Sequence, residues 1–577
     1  MLYPKESMYR EMKSLDGFWN FCADQADVGE QNDWKSGVFG KDVREAAVPA
    51  SYNEQFNDLF NFHGKAWYSK EVFIPASYSS KAIYLRFGNV AGKAKVWVNG
   101  HYVGGHIGNA LPFDCEISAV AKPGQKNMIV VLADSTLDPW SLPPAAMTET
   151  EGSVGFFGSY PAVPYDFFPY GGIQRSVFMY TCPKIRIEDI TIKTELLESV
   201  AKILFDVELS GRAKGELTAV TDGQKLVLSV DGEKIHGEFM IESPRLWDIG
   251  QPELYDMEFV LKTDSGDLDD YTQTYGIREV KVEGDKFLLN GKPVFFKGFG
   301  KHEDFHILGK GFSHAVTVKD FELLNWIGAN SFRTSHYPYD ENIMDFADRH
   351  GIMVIDETPF VGLSKRLYRE DILDKAKSVI KELINRDKNH PSVVMWSLAN
   401  EPYVESQEGK HFFKEMAATA RSLDPTRPIT YVAHLEPEDN LGYEYYDVVC
   451  INKYYGWYIA PGQLIEALPE FTACIERFRN AFGKPMIISE FGADAIDGMH
   501  CDPPQMFSEE YQSMTVELKY KEMRKKDYII GAHVWAFADF KAAQTTARII
   551  LNRKGVFTRD RQPKMVAHML KKLWHEE

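Results

Sequence analysis

The sequence predicts a multidomain β plus α/β protein, in which a jelly-roll sandwich, an immunoglobulin-like β-sandwich and a TIM (β/α)8 barrel follow one another. The chain has 577 residues, which is too long for a single hydrophobic core. Its first half shows short alternating strands broken by turns, whereas its second half alternates apolar strands with amphipathic helical stretches. Eight candidate strands fall within about 300 residues of that second half, as a TIM barrel requires.

The first two predicted domains are all-β. In residues 1–182 the stretch KAIYLRFGNVAGKAKVWVNGHYVGGHIG alternates apolar and polar residues and places Asn99 and Gly100 at a hairpin position. QKNMIVVLAD and GGIQRSVFMYTCP continue this pattern, which favours a jelly-roll sandwich. Residues 183–276 contain candidate short strands in IRIEDITIKTEL, AKILFDVELSG, GELTAVTDG and YDMEFVLKTDSG. Short strands at this spacing favour an immunoglobulin-like sandwich.

Residues 277–577 are predicted to form the barrel. Its eight candidate strands are PVFFKGFG, ANSFRTSH, GIMVIDE, SVVMWSLAN, PITYVAH, VVCINKYY, PMIISEFG and GAHVWAFAD. Amphipathic stretches such as DILDKAKSVIKELINRDKNH and EYQSMTVELKYKEMRKK lie between several of them. Active sites of this fold gather at the C-terminal ends of the strands, so candidate catalytic residues are sought there.

The composition argues against several classes of partner. A formal net charge of -18 disfavours nucleic acid or an anionic membrane. The N-terminal residues contain no apolar run resembling a signal peptide, and no later segment reaches transmembrane length. The six cysteines are scattered without CxxC spacing, so we expect isolated thiols in a reducing cytoplasm rather than zinc ligands or disulfides.

Two of the candidate strands end in glutamates. MWSLANEP places Asn400 and Glu401 at the end of strand four, and IISEFG places Glu490 at the end of strand seven. Paired carboxylates across a barrel mouth suit glycoside hydrolysis, in which one protonates the leaving oxygen and the other attacks or activates water. A single strand-end glutamate is as a rule exposed or in a structural ion pair, but both of these lie in longer motifs after apolar strands.

WSLANEP together with ISEFG resembles the acid/base and nucleophile strands of glycoside hydrolase family two, a retaining TIM-barrel family. The resemblance runs from SLDGFWNF to VFTRDRQPK and is greatest to the bacterial β-glucuronidases of that family. It implies an exo-acting hydrolase that releases D-glucuronate from β-D-glucuronides through a covalent glycosyl-enzyme intermediate. Glu401 would be the acid/base and Glu490 the nucleophile, with Asn400 on the sugar 2-hydroxyl. It implies no organic cofactor or metal, and a homo-oligomer, either a tetramer or a dimer.

The resemblance also assigns supporting residues. Arg333 would hold the nucleophile and Tyr454 would donate a hydrogen bond to it. Substrate-binding roles fall on Asp166, which reaches in from the jelly-roll, and on His336, Tyr458 and Trp535. His302 resembles a family position but is nearly as well explained as a structural histidine. For Asp356 and Glu357, which end strand three, we favour a supporting or structural role.

The stretch NRKG follows strand eight and sets the sugar specificity that we expect. Asn552 and Lys554 offer an amide and an ammonium, a suitable donor pair for the C6 carboxylate of glucuronate, and Arg548 adds a further cation. A basic surface loop is the plain alternative for this tripeptide. Its place after strand eight, followed by GVFTRDRQPK, matches the Asn-x-Lys motif of glucuronidases, and we expect it to overhang the sugar.

Three alternatives remain open at this point. Galacturonate differs only at C4, so the clamp does not exclude a β-galacturonidase, and a neutral β-galactosidase of the family shares both glutamates. A catalytically inactive carbohydrate-binding protein on the same scaffold is a third. One departure from some bacterial relatives concerns FVGLSKRLYREDILDKAK, which leaves little room for a long loop after strand three. We therefore expect an open leaving-group side that accepts both small-molecule and oligosaccharide β-glucuronides.

Overall fold

The computed structural model describes residues 2–151 and 153–576 and begins with a sandwich of two antiparallel sheets. Its strands and single short helix are β1 (Glu11–Ser14), β2 (Gly17–Ala23), β3 (Arg44–Val48), α1 (Tyr52–Gln55), β4 (Lys65–Ile74), β5 (Ala82–Phe87), β6 (Gly92–Val98), β7 (His101–Gly108), β8 (Phe113–Glu116), β9 (Gln125–Asp134) and β10 (Val177–Cys182). The sheet orders are β1-β10-β5-β8 and β3-β2-β4-β9-β6-β7. The predicted hairpin is confirmed, because Asn99 and Gly100 have φ of 52° and 81° and Val98 pairs with His101.

The second sandwich contains longer strands than the sequence predicts. Its strands are β11 (Ile187–Leu197), β12 (Val200–Thr221), β13 (Gln224–Glu242), β14 (Trp247–Asp248), β15 (Gln251–Pro252), β16 (Tyr255–Thr263) and β17 (Leu268–Tyr275). AKILFDVELSG and GELTAVTDG were expected as separate strands, but β12 runs through both. The pairing of β12 with β13 shifts between Glu208 and Ala213, and there β12 leaves β11 and goes on to pair with β16.

The C-terminal domain is a closed parallel barrel of eight strands, as predicted. A small antiparallel sheet precedes it, made of β18 (Val280–Glu283), β19 (Lys286–Leu289) and β20 (Lys292–Pro293). The barrel strands are β21 (Phe296–Gly300), β22 (Ser331–Arg333), β23 (Met353–Glu357), β24 (Val393–Asn400), β25 (Ile429–Ala433), β26 (Val449–Asn452), β27 (Met486–Phe491) and β28 (Ile529–Trp535). A last pair, β29 (Phe540–Lys541) and β30 (Leu551–Asn552), lies beyond them.

Up to residue 576, the last one described, the α-helices around the barrel are α2 (His314–Ile327), α3 (Glu341–His350), α4 (Glu370–Asp387), α5 (Gln407–Leu423), α6 (Leu468–Phe482), α7 (Glu509–Met523) and α8 (Met565–Glu576). The predicted helices in DILDKAKSVIKELINRDKNH and EYQSMTVELKYKEMRKK correspond to α4 and α7. The connection from β25 to β26 holds two short 3-10 turns instead of an α-helix. None of the helices formed by residues 2–151 and 153–576 is long and apolar enough to cross a membrane. The six cysteines form no disulfide with one another.

The barrel is apolar at its N-terminal end and polar at its C-terminal end. Phe287 of β19 packs edge-on against Phe296 of β21, with ring centroids 4.9 Å apart. The same buried cluster includes Ile355, Met395 and Ile487 from the barrel strands. Because this end is filled by side chains, the open space for a ligand lies at the opposite mouth.

Buried ion pairs fasten the N-terminal sandwich to the barrel. Arg86 of β5 donates from Nη2 to both carboxylate oxygens of Glu341 in α3, at 2.7 and 2.9 Å. Its Nη1 lies 3.4 Å from both oxygens of Asp114. Arg175 donates to Glu303 at 2.8 Å and to the Pro338 carbonyl at 2.6 Å. These contacts fix the sandwich beside the mouth of the barrel.

We expect Arg86→Met to lower the free energy of unfolding by about 3–5 kcal/mol, because Glu341 would lose its cationic partner and Asp114 would keep only the hydrogen bond from the Tyr180 hydroxyl. Chemical denaturation followed by tryptophan fluorescence measures this change. The matched control is Arg44→Met, whose guanidinium pairs with the exposed Asp58 at 2.8 Å and whose loss should cost less than about 1 kcal/mol. Equal effects of the two substitutions would contradict the assignment of Arg86 as an interdomain fastener.

Candidate active site

A cavity of about 290 Å³ lies at the C-terminal mouth of the barrel. The N-terminal sandwich contributes Phe156, Phe157, Pro164, Tyr165 and Asp166 to its wall. The barrel contributes His336, Val361, Asn400, Glu401, His434, Glu436, Asn452, Lys453, Tyr454, Tyr458, Ile459, Glu490 and Trp535. Two domains therefore build one pocket, and most of the residues singled out in the sequence meet in it.

Glu490 lies near the end of β27 and has a donor on each carboxylate oxygen. Arg333 Nη2 donates to Oε1 at 2.5 Å, and the Tyr454 hydroxyl donates to Oε2 at 2.7 Å. The side chain is 4% exposed. Burial raises the pKa of Glu490 to about 8, against the opposing effect of the Arg333 guanidinium. The two donors orient the carboxylate and favour its ionised form, which nucleophilic attack requires.

Glu357, at the end of β23, holds the residues around Glu490. Arg333 Nη1 donates to both of its oxygens at 2.8 Å, and Ser397 Oγ donates to Oε2 at 2.7 Å. Burial raises the pKa of Glu357, but the Arg333 guanidinium together with His336 and the Ser397 hydrogen bond outweighs it, and the net shift is downward. The fully buried guanidinium of Arg333 thus bridges Glu357 and Glu490. This network fits the supporting role favoured for Glu357.

His336 is oriented by the same carboxylate. Its Nδ1 lies 2.8 Å from Glu357 Oε1, and burial lowers the pKa of the imidazole. A neutral ring that donates from Nδ1 to a carboxylate keeps Nε2 as an acceptor. His336 lines the cavity, so Nε2 can accept a hydrogen bond from a sugar hydroxyl.

Glu401 follows β24 and is held by an asparagine that the sequence did not indicate. Asn452 Nδ2 donates to Glu401 Oε1 at 2.8 Å and lies 3.3 Å from Asn400 Oδ1, and Ser489 Oγ donates to Asn452 Oδ1 at 3.0 Å. Glu401 has a left-handed backbone with φ of 49°, which is uncommon for a residue other than glycine. Its N–H donates to the Val432 carbonyl at 2.8 Å. Neighbouring strands therefore fix both the backbone and the carboxylate.

Trp535 lies at the end of β28, where its indole packs on His336. The rings are stacked, with centroids 5.0 Å apart and planes at 19°. A Cβ at Gly300 would lie 2.4 Å from this indole, so glycine at that position of β21 leaves room for it. His302 lies against Trp535, with ring centroids 5.3 Å apart, and its Nδ1 is 3.0 Å from the Tyr337 hydroxyl. Trp535 lines the cavity whereas His302 does not.

The NRKG segment lies deeper than the sequence suggests. Asn552 and Lys554 were expected to overhang the sugar, but they are 0% and 1% exposed, and Asp166 and Tyr458 line the cavity on this side. Asp166 accepts from Arg548 Nε at 2.9 and 3.0 Å and from Asn552 Nδ2 at 2.6 Å. The sequence-predicted clamp residues are brought together, with the carboxylate of Asp166 already bound to two of them.

Lys554 has a second carboxylate partner, Asp494, which the sequence reasoning missed. Its ammonium contacts Asp494 Oδ2 and lies 3.0 Å from the Tyr458 hydroxyl. Arg548 also donates to that hydroxyl from Nη2. Burial lowers the pKa of Lys554 to about 8, and Arg548 acts in the same direction, while Asp494 opposes the shift. Below that pH the ammonium is charged.

The remaining strand-end acid, Asp356, does not join the cavity. It is fully buried, accepts from the Thr334 hydroxyl at 3.0 Å, and burial raises its pKa well above the usual range. Asn452 ends β26, so a search for polar residues at strand ends could have found it. Asp494 lies beyond the strand end, and no sequence pattern points from it to Lys554.

One group of three potential metal ligands occurs among residues 2–151 and 153–576, namely Asp345, Asp348 and His390. It lies before β24, at the end of the barrel away from the cavity. His390 Nδ1 is 2.6 Å from Asp348 Oδ2. Although burial lowers the pKa of His390, Asp348 raises it to about 9. The protonated imidazole forms ion pairs with Asp348 and, at 3.9 Å, with Asp345 in the scaffold.

Three family models match the chain in the order of its domains. Residues 12–183 match the description "Glycosyl hydrolases family 2, sugar binding domain". Residues 185–278 match "Glycosyl hydrolases family 2", and residues 280–576 match "Glycosyl hydrolases family 2, TIM barrel domain". The domain boundaries expected after residues 182 and 276 stay predictions.

The chain is similar over its whole length to proteins named β-glucuronidase. That of Paenibacillus borealis is 42% identical over 593 residues, covering 100% of this chain and 99% of the relative. That of Mus musculus is 39% identical over 601 residues, covering 99% and 92%. Among solved structures, a β-glucuronidase of an uncultured Clostridium species has a TM-score of 0.93 at 36% identity and covers 100% of both chains. The Ruminococcus gnavus β-glucuronidase in complex with D-glucuronic acid has a TM-score of 0.92 at 36% identity and covers 99% of both.

We expect the isosteric substitution Glu357→Gln to lower kcat on an aryl β-glycoside by about 100-fold, because Arg333 would lose the partner that aims it at Glu490. KM should change little. Steady-state kinetics measures both constants, and Glu405→Gln, at an exposed position near the same mouth, is the control with unchanged kinetics. Wild-type kcat in the Glu357 variant would refute the positioning role of this carboxylate.

Proposed function

The chain belongs to glycosyl hydrolase family 2, and we propose that it is an exo-acting, retaining β-glucuronidase that releases D-glucuronate from β-D-glucuronides. One observation carries the proposal: Glu401 and Glu490 line a cavity together with Tyr458, and the hydroxyl of Tyr458 is contacted by Arg548 and Lys554. The first pair supplies the hydrolytic chemistry and the second supplies positive charge. The β-glucuronidases of similar sequence support the same activity.

The proposed reaction has two displacement steps. Glu490 attacks the anomeric carbon while Glu401 donates its proton to the glycosidic oxygen, so the bond to the aglycone breaks and an alcohol leaves. Glu401, now a carboxylate, takes a proton from water, and the water oxygen displaces Glu490 from the anomeric carbon. Two inversions give net retention. The carboxylates supply both proton and nucleophile, so no organic cofactor is required.

Donors around the site support these roles. Arg333 and Tyr454 hold both oxygens of Glu490, and Asn452 holds Glu401. Asn400 lines the cavity, and we assign to it the sugar 2-hydroxyl, a contact that strengthens in the transition state. A protein that only bound carbohydrate would have no use for a buried guanidinium aimed at one carboxylate. The inactive alternative is therefore disfavoured.

Selectivity for a uronic acid rests on the cluster behind Tyr458. The Tyr458 hydroxyl accepts hydrogen bonds from Arg548 and Lys554, so its own proton is free to donate to an acceptor in the cavity. A carboxylate at C6 of the sugar is such an acceptor and gains from both cations. Galacturonate carries the same C6 carboxylate, whereas a neutral galactoside would leave this charge unused.

The shape of the site supports exo action with an open leaving-group side. Asp166 and its neighbours from the N-terminal sandwich close one wall of the cavity, which suits a terminal sugar. A second cleft of about 470 Å³ shares Tyr165 and His336 with the cavity. It reaches Pro359 and Lys375, beyond strand three, where the sequence leaves little room for a long loop. Large glucuronides therefore have space beside the sugar pocket.

We also propose a cytoplasmic location and a homo-oligomer, either a dimer or a tetramer. Six cysteines without a disulfide support a reducing compartment. The assembly follows from the resemblance to oligomeric family members. Fractionation of the native cells and light scattering of the purified protein test these two points separately.

A substrate panel tests the function. Initial rates are measured on 4-nitrophenyl β-D-glucuronide, β-D-galacturonide, β-D-galactoside and β-D-glucoside, and on an oligosaccharide with a terminal β-glucuronate. We expect strong preference for glucuronide, turnover of the oligosaccharide, and loss of all activity in Glu490→Ala with folding intact. Preference for a neutral sugar would keep the two glutamates but refute the uronate clamp. Inactivity of the wild type on every substrate would restore the binding-protein alternative.

Lys554 predicts a pH dependence of the specificity. Its charged form, which a uronate needs, is present below the pKa of about 8 and is lost as pH rises through that value. The ratio of kcat/KM for glucuronide over glucoside should therefore fall above about pH 8, while titration of Glu490 affects both substrates alike. Lys554→Met should lower kcat/KM for glucuronide by about 2–5 kcal/mol of transition-state binding and abolish this pH dependence of the ratio. An unchanged ratio across pH would count against Lys554 as the uronate contact.

A further inference from the structure

Asp494 fixes the NRKG segment to the end of β27. It lies four residues after Glu490 and is 1% exposed. Its Oδ1 accepts the backbone N–H of Arg553 at 2.9 Å, and its Oδ2 contacts the Lys554 ammonium. The adjacent backbone is tied as well, because the Ala495 N–H donates to the Arg553 carbonyl at 2.9 Å. Both oxygens of this carboxylate are therefore engaged by the segment that carries the clamp.

Asp494 does not itself line the catalytic cavity, unlike Asp166 and Tyr458. It acts on the cavity through the two cations that contact Tyr458: its Oδ2 contacts the Lys554 ammonium and lies 3.8 Å from Arg548 Nη1. The ammonium has three N–H donors: one is directed to Asp494, and one to Tyr458 at 3.0 Å. Within the described residues, the third has no acceptor at hydrogen-bond distance. Lys554 does not line the cavity either, so it acts there through the Tyr458 hydroxyl while Asp494 holds its position.

We propose that Asp494 is a positioning residue for uronate recognition, which holds the Lys554 ammonium against the Tyr458 hydroxyl without touching the sugar. The inference rests on the proposed β-glucuronidase function and deepens it. It assigns the selectivity for a C6 carboxylate to a buried pair, Asp494 and Lys554, rather than to Lys554 alone.

The charge balance of the cluster supports this role. Arg548 and Lys554 carry two positive charges, and Asp166 and Asp494 carry two negative charges, so the cluster is formally neutral without a ligand. Burial already lowers the pKa of Lys554 to about 8, and the Arg548 guanidinium acts in the same direction. Without Asp494 the Lys554 amine would lose its proton at a lower pH. It would then also lose the positive charge that a uronate requires. A neutral sugar would not sense this loss.

The test compares Asp494→Asn with a matched control on the same segment. Asp497→Asn removes an acid that pairs with Arg553 at the surface, at 2.8 Å, and should behave as wild type. In Asp494→Asn we expect kcat/KM for 4-nitrophenyl β-D-glucuronide to fall about tenfold or more, mainly through KM, with the matched glucoside within about twofold of wild type. Inhibition by D-glucaro-1,5-lactone and by neutral D-glucono-1,5-lactone gives the same comparison if glucoside turnover is too slow to measure.

A double-variant cycle separates positioning from a general structural role. If Asp494 acts through Lys554, Asp494→Asn should add nothing to the loss caused by Lys554→Met. Equal losses on glucuronide and glucoside in Asp494→Asn, or full additivity with Lys554→Met, would overturn the inference. If the wild type itself shows no preference for glucuronide, the proposed function fails instead. If the wild type prefers glucuronide and Asp494→Asn keeps that preference unchanged, the proposed function stands and the inference about Asp494 fails.

The pH profile provides a readout that a packing defect would not move. Asp494→Asn should lower the pKa of Lys554, so the pH above which KM for glucuronide rises should shift downward. The other groups that face Lys554 stay in place: Arg548, Asp166, Lys519 and the Tyr458 hydroxyl. If Asp494→Asn does not fold, Asp494→Glu keeps the charge but displaces it by one methylene. A raised glucuronide KM with the wild-type pH profile is then expected, and an unchanged KM overturns the proposal.

Discussion

The site is organised by the need to compensate charges that are buried at the mouth of the barrel. The guanidinium of Arg333 is fully buried, and it bridges Glu357 to Glu490. A buried cation without partners would be strongly unfavourable, and so would either carboxylate without the cation. The position of the Glu490 carboxylate, the orientation of His336 and the ionisation of Glu357 therefore depend on one another. Strands β22, β23 and β27 each contribute one member, so the closed barrel sets the geometry.

A second set of buried charges supplies the local positive charge for an anionic substrate. The chain carries a net charge of -18, so its overall field repels an anionic substrate. Arg548 and Lys554 supply local positive charge, but their burial must be balanced, and Asp166 and Asp494 do this. The cluster reaches the cavity through Tyr458 and Asp166 rather than through exposed lysine. Buried cations are less screened by salt than exposed ones, which suits selective recognition of a carboxylate.

The N-terminal sandwich takes part in the site and does not merely accompany the barrel. It supplies Asp166 and the two phenylalanines at the mouth, and the buried contact of Arg86 with Glu341 holds it in place. A shift of this domain would move Asp166 relative to Arg548 and Asn552. The packing of the N-terminal sandwich on the barrel is therefore coupled to the geometry of the cavity. The middle sandwich lines neither the cavity nor the adjoining cleft.

The sequence by itself determined the three-domain fold, the eight barrel strands and the placement of Glu401 and Glu490 at strand ends. These features are local: apolar runs, alternation and the Asn99-Gly100 turn are written within short windows of sequence. Only the tertiary structure decided that Arg548 meets Asp166 across 382 positions, or that Lys554 meets Asp494 across 60. It also decided that β12 is one long strand and that Asn452 holds Glu401. Such pairings depend on barrel closure and domain docking, which bring together charges whose sequence neighbourhoods carry no record of one another.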